Sequence, residues 1–292
     1  MRHFVLSAVA IALAACTGGG SSDSGRLSLD LTDAPVDGAS HVVVVFTGVE
    51  LKPASGEVRV ITFDEPRSID LYALQGGDTE PLLSGVEVAA GRYEWVRLRV
   101  LAENDGVLDS YIELTDGSQH ELYVPSGAQS GLKLVGGLTV PEGGTATYTI
   151  DFDLRKSVHQ PMNGEDAYML RPTLRIVQDD DTGTLSGTVD PALIAEGCTP
   201  AVYVFEGEEV TPDDVDGTPA DPLTTATVAL DGDSGAYRYV AAFLPAGEYT
   251  AAFTCGAAGD DPQQDDTLVF AGTAAVEIES EQTTTLDFAP AP

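Results

Sequence analysis

Oxygen donors dominate the chemistry this chain can offer, with 47 Asp and Glu against 14 Lys and Arg in 292 residues. Asp260, Asp261, Asp265 and Asp266 share one Gly/Pro/Gln-rich stretch, and Asp213, Asp214 and Asp216 share another. Clustered carboxylates suit calcium, which takes six to eight oxygen ligands. Neither stretch has the alternating ligands, central Gly and terminal Glu of the twelve-residue calcium loop. The plainer reading is therefore hydrated acidic loops with no cofactor, and calcium is the alternative. Two carboxylates also suffice for glycoside hydrolysis, but a chain this acidic supplies such pairs by chance. His41, His120 and His159 form no His-Glu-x-x-His pair, and the chain has no Gly-x-Ser-x-Gly elbow, phosphate-cradling glycine loop or paired-Cys zinc spacing. No catalytic residue is assigned, and a divalent-metal-dependent hydrolase is the least supported activity.

Recognition of a ligand surface has one candidate. Tyr93, Trp95, Arg97 and Arg99 share one parity along an alternating run, while Val96, Leu98 and Val100 share the other. An exposed Tyr/Trp pair beside arginines can stack on a sugar ring or anchor a protein partner. The same parity rule puts Asp151, Asp153 and Arg155 on one face of a strand, and Arg171 and Arg175 on one face of another. Such sets read equally as a cross-strand charge ladder covering a sheet, with Tyr93 and Trp95 plugging its end.

The elements that carry these residues read as strands throughout. Leu27, Leu29 and Leu31 alternate with polar residues, Val42 to Phe46 is continuously apolar, and Tyr148, Ile150, Phe152 and Leu154 alternate again. Asp179-Asp180-Asp181 breaks the pattern, so residues 26–178 and 184–292 are expected to be separate domains joined by an acidic linker at 179–183. In the second, strands are expected at 185–189, 201–205, 236–243, 248–253, 267–270 and 283–288. A short helix begins at the Asp190-Pro191 cap, and Asp231 to Gly235 reads as a hairpin turn. The expected fold class is all-β, two β-sandwich-like domains. Residues 26–178 hold 12 basic and 23 acidic groups, whereas residues 184–292 hold 20 acidic groups and Arg238 alone. A formal charge of −33 excludes nucleic acid as a partner.

Ahead of these domains, Arg2 and His3 precede an apolar run from Phe4 to Ala12 and the small-residue close Leu13-Ala14-Ala15-Cys16, the layout of a secretory signal peptide. The closing tetrapeptide resembles the bacterial lipobox. That resemblance implies cleavage before Cys16, lipidation of its thiol and acylation of the new amino group, and Thr17 in the next position favours the outer membrane, facing the periplasm or the exterior. Gly, Ser and Thr from Thr17 to Gly25 read as a flexible tether. Export makes a Cys198–Cys255 disulfide the expected state of the remaining cysteines.

Two further resemblances follow from motifs. Leu29-Asp30-Leu31-Thr32-Asp33-Ala34-Pro35-Val36-Asp37, Ile69 to Gly76, Gly91-Arg92-Tyr93 to Leu98, and Asp151 to Val158 resemble, in that order, the bacterial lipoprotein family called domain of unknown function 4382. It brings no established activity and implies a surface-tethered β domain often followed by another β module. Taken with the lipobox and the strand pattern, the chain is expected to be a membrane-anchored envelope lipoprotein serving as a binding, adhesion or structural module toward a protein or glycan. Leu244-Pro245-Ala246-Gly247-Glu248-Tyr249 is similar to the turn of the prealbumin-like and carboxypeptidase-regulatory-like sandwiches, and Val88 to Tyr93 is a looser version of it.

Overall fold

The computed structural model describes residues 23–34, 38–125, 131–160 and 166–290, so the signal segment, Cys16 and most of the tether lie outside the described residues. The first group of strands is β1 Ser24–Ala34, β2 Ala39–Pro53, β3 Arg59–Asp70, β4 Glu80–Ala89, β5 Gly91–Leu101, β6 Tyr111–Leu114, β7 Gln119–Tyr123, β8 Leu132–Val140, β9 Thr145–Asp153, β10 Val158–His159, β11 Tyr168–Leu170 and β12 Leu174–Gln178. They build two sheets, ordered β12-β9-β1-β4 and β10-β11-β7-β6-β2-β5-β8, with β3 also on β2.

Alternation decides which side of each sheet is dry. Leu27, Leu29 and Leu31 of β1 and Ile150 and Phe152 of β9 are fully buried, opposite Val42, Val44 and Phe46 of β2 and Leu98 of β5. The Phe46 and Phe152 rings meet edge-on at 6.3 Å in this core, a geometry aromatic quadrupoles favour. β1 runs parallel to β9, pairing Thr32 with Asp151 and Asp33 with Phe152.

The second group is β13 Thr182–Val189, β14 Ala201–Glu206, β15 Thr224–Thr227, β16 Ala229–Leu230, β17 Tyr237–Pro245, β18 Gly247–Thr254, β19 Phe270–Ile278 and β20 Thr283–Thr285. Sheets β16-β17-β13-β20 and β15-β14-β18-β19 enclose a separate core around Leu185, Val204, Tyr239 and Phe253. From Ala201 to Phe205 β14 is apolar without interruption because both of its faces are covered there. Val202 and Val204 face that core, whereas Ala201, Tyr203 and Phe205 join a further cluster with Val215 and Ala257.

Differences from the sequence reading have local causes. The strand expected at 267–270 lies at Phe270–Ile278, where the inward positions next after Phe270 are the small Gly272 and Ala274, so that the apolar alternation only resumes at Val276 and Ile278 and gives a weak periodic signal. Asp190 caps Ala192 N at 2.8 Å as expected, but the turn it starts is a single 3-10 turn, Pro191–Leu193. Asp179–Asp181 form another 3-10 turn leading directly into β13, and Asp179 accepts from Thr149 Oγ1 at 2.9 Å. The Asp231–Gly235 turn joins β16 to β17, with Asp231 Oδ1 accepting from the backbone of Asp233 and Ser234.

Both tyrosine turns have one geometry. Tyr93 Oη donates to Ala89 O and Tyr249 Oη donates to Pro245 O, each at 2.7 Å and each closing the hairpin four residues back.

The disulfide forms between Cys198 and Cys255, 57 residues apart. Closing a loop of that length removes about 4 kcal/mol of unfolded-state entropy. Replacing both cysteines by serine should lower the unfolding free energy of the chain by a matching amount and move its urea midpoint down accordingly. A midpoint unchanged in urea titration would show that the bridge adds nothing.

Candidate functional site

The segment Asp151 to Val158 leaves the first sandwich pointing at the second. β9 ends at Asp153, whose carboxylate accepts from Lys156 N at 3.1 Å and caps a single helical turn, α1 Leu154–Ser157. Leu154 fills the core, so the turn carries Arg155 and Lys156 outward to the neighbouring sandwich. Arg155 is only 4% exposed. Its Nη1 donates to Ala257 O at 3.0 Å, Asp260 Oδ2 at 3.3 Å and Tyr203 Oη at 3.4 Å. Tyr203 Oη also donates to Asp260 Oδ2 through a short hydrogen bond, and Asp260 Oδ1 accepts from Val215 N at 3.1 Å. Burial pushes the Asp260 carboxyl upward, against the pull of Tyr203 and Arg155. Beside this clamp, Lys156 Nζ binds the Asp221 carboxylate and donates to Pro222 O at 2.7 Å.

Two other motif segments reach the same seam. Ile69 to Gly76 runs into a 3-10 segment, Leu71–Gly77, against β15 and β17. Thr32 Oγ1 donates to Leu74 O and Asp78 O, fixing that segment on β1, and Thr227 Oγ1 of the second sandwich donates to Gln75 Oε1 at 3.3 Å. Between them is a cavity of about 280 Å³ lined by Thr32, Asp33, Gln75, Asp151, Thr225 and Arg238 among others. Gln75 Nε2 and Thr225 Oγ1 are buried there without a protein partner, which suits ordered water in a polar cavity of this size.

Residues 24–172 match the family described as Domain of unknown function (DUF4382). The chain belongs to that family. Three of the four DUF4382 motif segments singled out by sequence thus converge on the seam, and the fourth is the β4–β5 hairpin closed by Tyr93. No curated protein matches the chain. Among solved structures it is similar to a leucine-rich repeat protein of Bacteroides thetaiotaomicron, at 15% identity over 92% of this chain and 26% of that one, TM-score 0.22. It is also similar to the minor pilin GBS52 of Streptococcus agalactiae, at 11% identity over 91% of this chain and 97% of that one, TM-score 0.20. A putative adhesin of Bacteroides ovatus matches at 10% identity over 96% and 100%, TM-score 0.20. The chain spans about a quarter to a third of the first two structures it matches. Overlaps this loose carry no functional argument.

The Tyr93/Trp95 face needs correction. Tyr93 is 2% exposed and belongs to the core. Opposite β2, Trp95 pairs with Lys52 and Tyr93 with Pro53, so Glu94 is an extra residue and the strand bulges. Across β8 the pairing jumps from Leu138 to Val135, over Gly137 at φ +74°. The bulge turns Tyr93 to the same side as Val96, which the uninterrupted parity rule excludes. Trp95 remains half-buried on the outer face, with Arg97 and Lys133 over its ring at 4.9 and 4.8 Å. Glu50 pairs with Arg97 at 3.0 Å and lies 3.9 Å from Arg99. This face is a cross-strand charge ladder; a separate cross-strand pair, Arg175 to Asp151 at 2.5 Å, lies on the other sheet, between β12 and β9.

Other candidates are dispersed. His41 pairs with Asp70 at 2.6 Å on the surface, which raises its pKa through that hydrogen bond, and His120 pairs with Asp166 at 2.8 Å. Burial lowers the pKa of His159. Asp261 turns onto its own loop, accepting from Gln263 N and Gln264 Nε2. Asp214, Asp260 and Asp266, taken from both acidic stretches, come together as potential metal ligands.

Asp153 gives the seam a pH signature. Burial raises its carboxyl to about 6, opposed by Lys156, whereas an unfolded Asp titrates near 3.9. Its contribution to stability is complete below about pH 4 and is lost as pH rises through about 6. Asp153→Asn keeps the cap and removes the titration, so it should gain about 2 kcal/mol relative to wild type between pH 4 and 7.5. Parallel stability-versus-pH curves in chemical denaturation would refute this assignment.

Proposed function

We propose that the chain is an envelope lipoprotein, anchored through Cys16, whose two β-sandwich domains form one binding, adhesion or structural module without catalytic activity. The observation that carries this reading is the seam. Side chains of the family motif that sequence alone leaves free for chemistry, Arg155 and Lys156, are committed to Asp260 and Asp221 of the second sandwich. Groups held in a buried charge pair serve architecture, because freeing either one strands the other charge. Leu13-Ala14-Ala15-Cys16 supports the anchor, since several acyl chains give the durable membrane hold that one does not. With the membrane as its anchoring partner, the module presents its outer sheets to a protein or glycan at the envelope, on whichever side of the outer membrane the lipid lies.

Metabolic labelling with an alkyne fatty acid, followed by membrane fractionation, tests the anchor. The wild-type chain should carry label and sediment with the outer membrane, while Cys16→Ser should be unlabelled and soluble. Equal labelling of both, or a native chain whose intact mass begins at another residue, would defeat the proposal.

A further inference from the structure

The two acidic loops, read separately along the chain, meet over the outer face of β14. Asp214 from the first stands at the corner of two carboxylate groups, Asp214–Asp260–Asp266 and Asp214–Asp216–Asp265, in each of which one oxygen per residue lies within 4.8 Å of the others. Backbone donors hold the deeper group in place. Asp214 Oδ2 accepts from Asp266 N at 2.6 Å, Asp266 Oδ2 from Asp261 N at 2.8 Å, and Asp260 Oδ1 from Val215 N at 3.1 Å.

Asp214 Oδ1 separates this cluster from an ordinary hydrated loop. The residue is 1% exposed, yet that oxygen has neither solvent nor a hydrogen-bond partner. A buried carboxylate oxygen without a donor is costly, and more so beside two further carboxylates. Arg155 neutralises Asp260 alone. A proton or a cation must balance the rest, and burial, which raises the Asp214 pKa, leaves both routes open.

Geometry and donor type favour the cation. The donors are all hard carboxylate oxygens, which select calcium or magnesium over the softer transition metals. Calcium accepts irregular, mixed mono- and bidentate carboxylate sets, whereas magnesium demands a near-octahedral site. We propose that Asp214, Asp260 and Asp266 bind a calcium ion, with Asp216, Asp265 and water as further oxygen donors. The ion would pin the two loops to each other and hold Asp260, the partner of Arg155, in its clamp position. This inference stands apart from the lipid anchor and survives its failure.

Calorimetric titration of calcium into the EDTA-treated chain, residues 17–292, tests it. Binding should show a dissociation constant on the order of 10⁻⁴ to 10⁻³ M, the range of extracellular modules. At ten times that concentration the melting temperature should rise by about 3–5 °C. Asp214→Asn and the more exposed Asp266→Asn should each weaken binding at least tenfold, while Asp109→Asn in the first sandwich leaves it unchanged. Terbium in place of calcium should emit on tyrosine excitation, because Tyr203 touches Asp260, and Tyr203→Phe should reduce that emission. If Asp214→Asn does not fold, Asp266→Asn and the terbium signal decide. No heat and no thermal shift up to about 10 mM calcium, or equal binding by wild type and Asp266→Asn, would overturn the site in favour of a shared proton.

Discussion

One buried ion pair joins the two halves of this molecule. Arg155 leaves water on the first sandwich and meets Asp260 on the second, each with its side chain at most 4% exposed. Removing two charges from water is compensated only when geometry and extra hydrogen bonds are good. Here Ala257 O, Tyr203 Oη and Val215 N supply them. Charge balance along the chain gives the pair a wider meaning. Residues 184–292 contain 20 acidic groups and a single basic one, Arg238. Countercharge has to come from outside that sandwich, and the seam brings it through Arg155 and Lys156.

Seen this way, the motifs of DUF4382 acquire physical roles. Thr32 holds the 3-10 segment that carries Gln75 to the second sandwich. Asp153 caps the turn that aims the clamp. Tyr93 closes the β4–β5 hairpin as Tyr249 closes β17–β18, with the same hydroxyl-to-carbonyl bond in both. That equivalence joins two turns that look alike in sequence, Ala90-Gly91-Arg92-Tyr93 and Ala246-Gly247-Glu248-Tyr249, and it accounts for a tyrosine in a dry position.

Strands were legible because alternation is a local signal. Leu27, Leu29 and Leu31, or Val96, Leu98 and Val100, announce their buried side within one segment. Cys198 and Cys255 were legible from export and pairing chemistry. Parity misled at Tyr93, where one extra residue in β5 reverses the face; the repeated Gly-x-Tyr turn was the signal that could have placed it inside. Arg155 was missed as a clamp because it leaves the strand on a helical turn, and its partner lies 105 residues away. The meeting of Asp214 with Asp260 and Asp266 is likewise a property of tertiary packing, invisible to any window along the chain.

Calorimetric unfolding of Arg155→Leu beside the wild-type chain tests the seam most directly. The wild type should unfold in one transition, with tyrosine and Trp95 signals coincident, because the two cores are coupled. The variant leaves Asp260 buried without its cation, so it should lose about 3–5 kcal/mol of coupling and resolve into two transitions, Trp95 reporting only that of the first sandwich. A single transition at the wild-type temperature in Arg155→Leu would contradict the account.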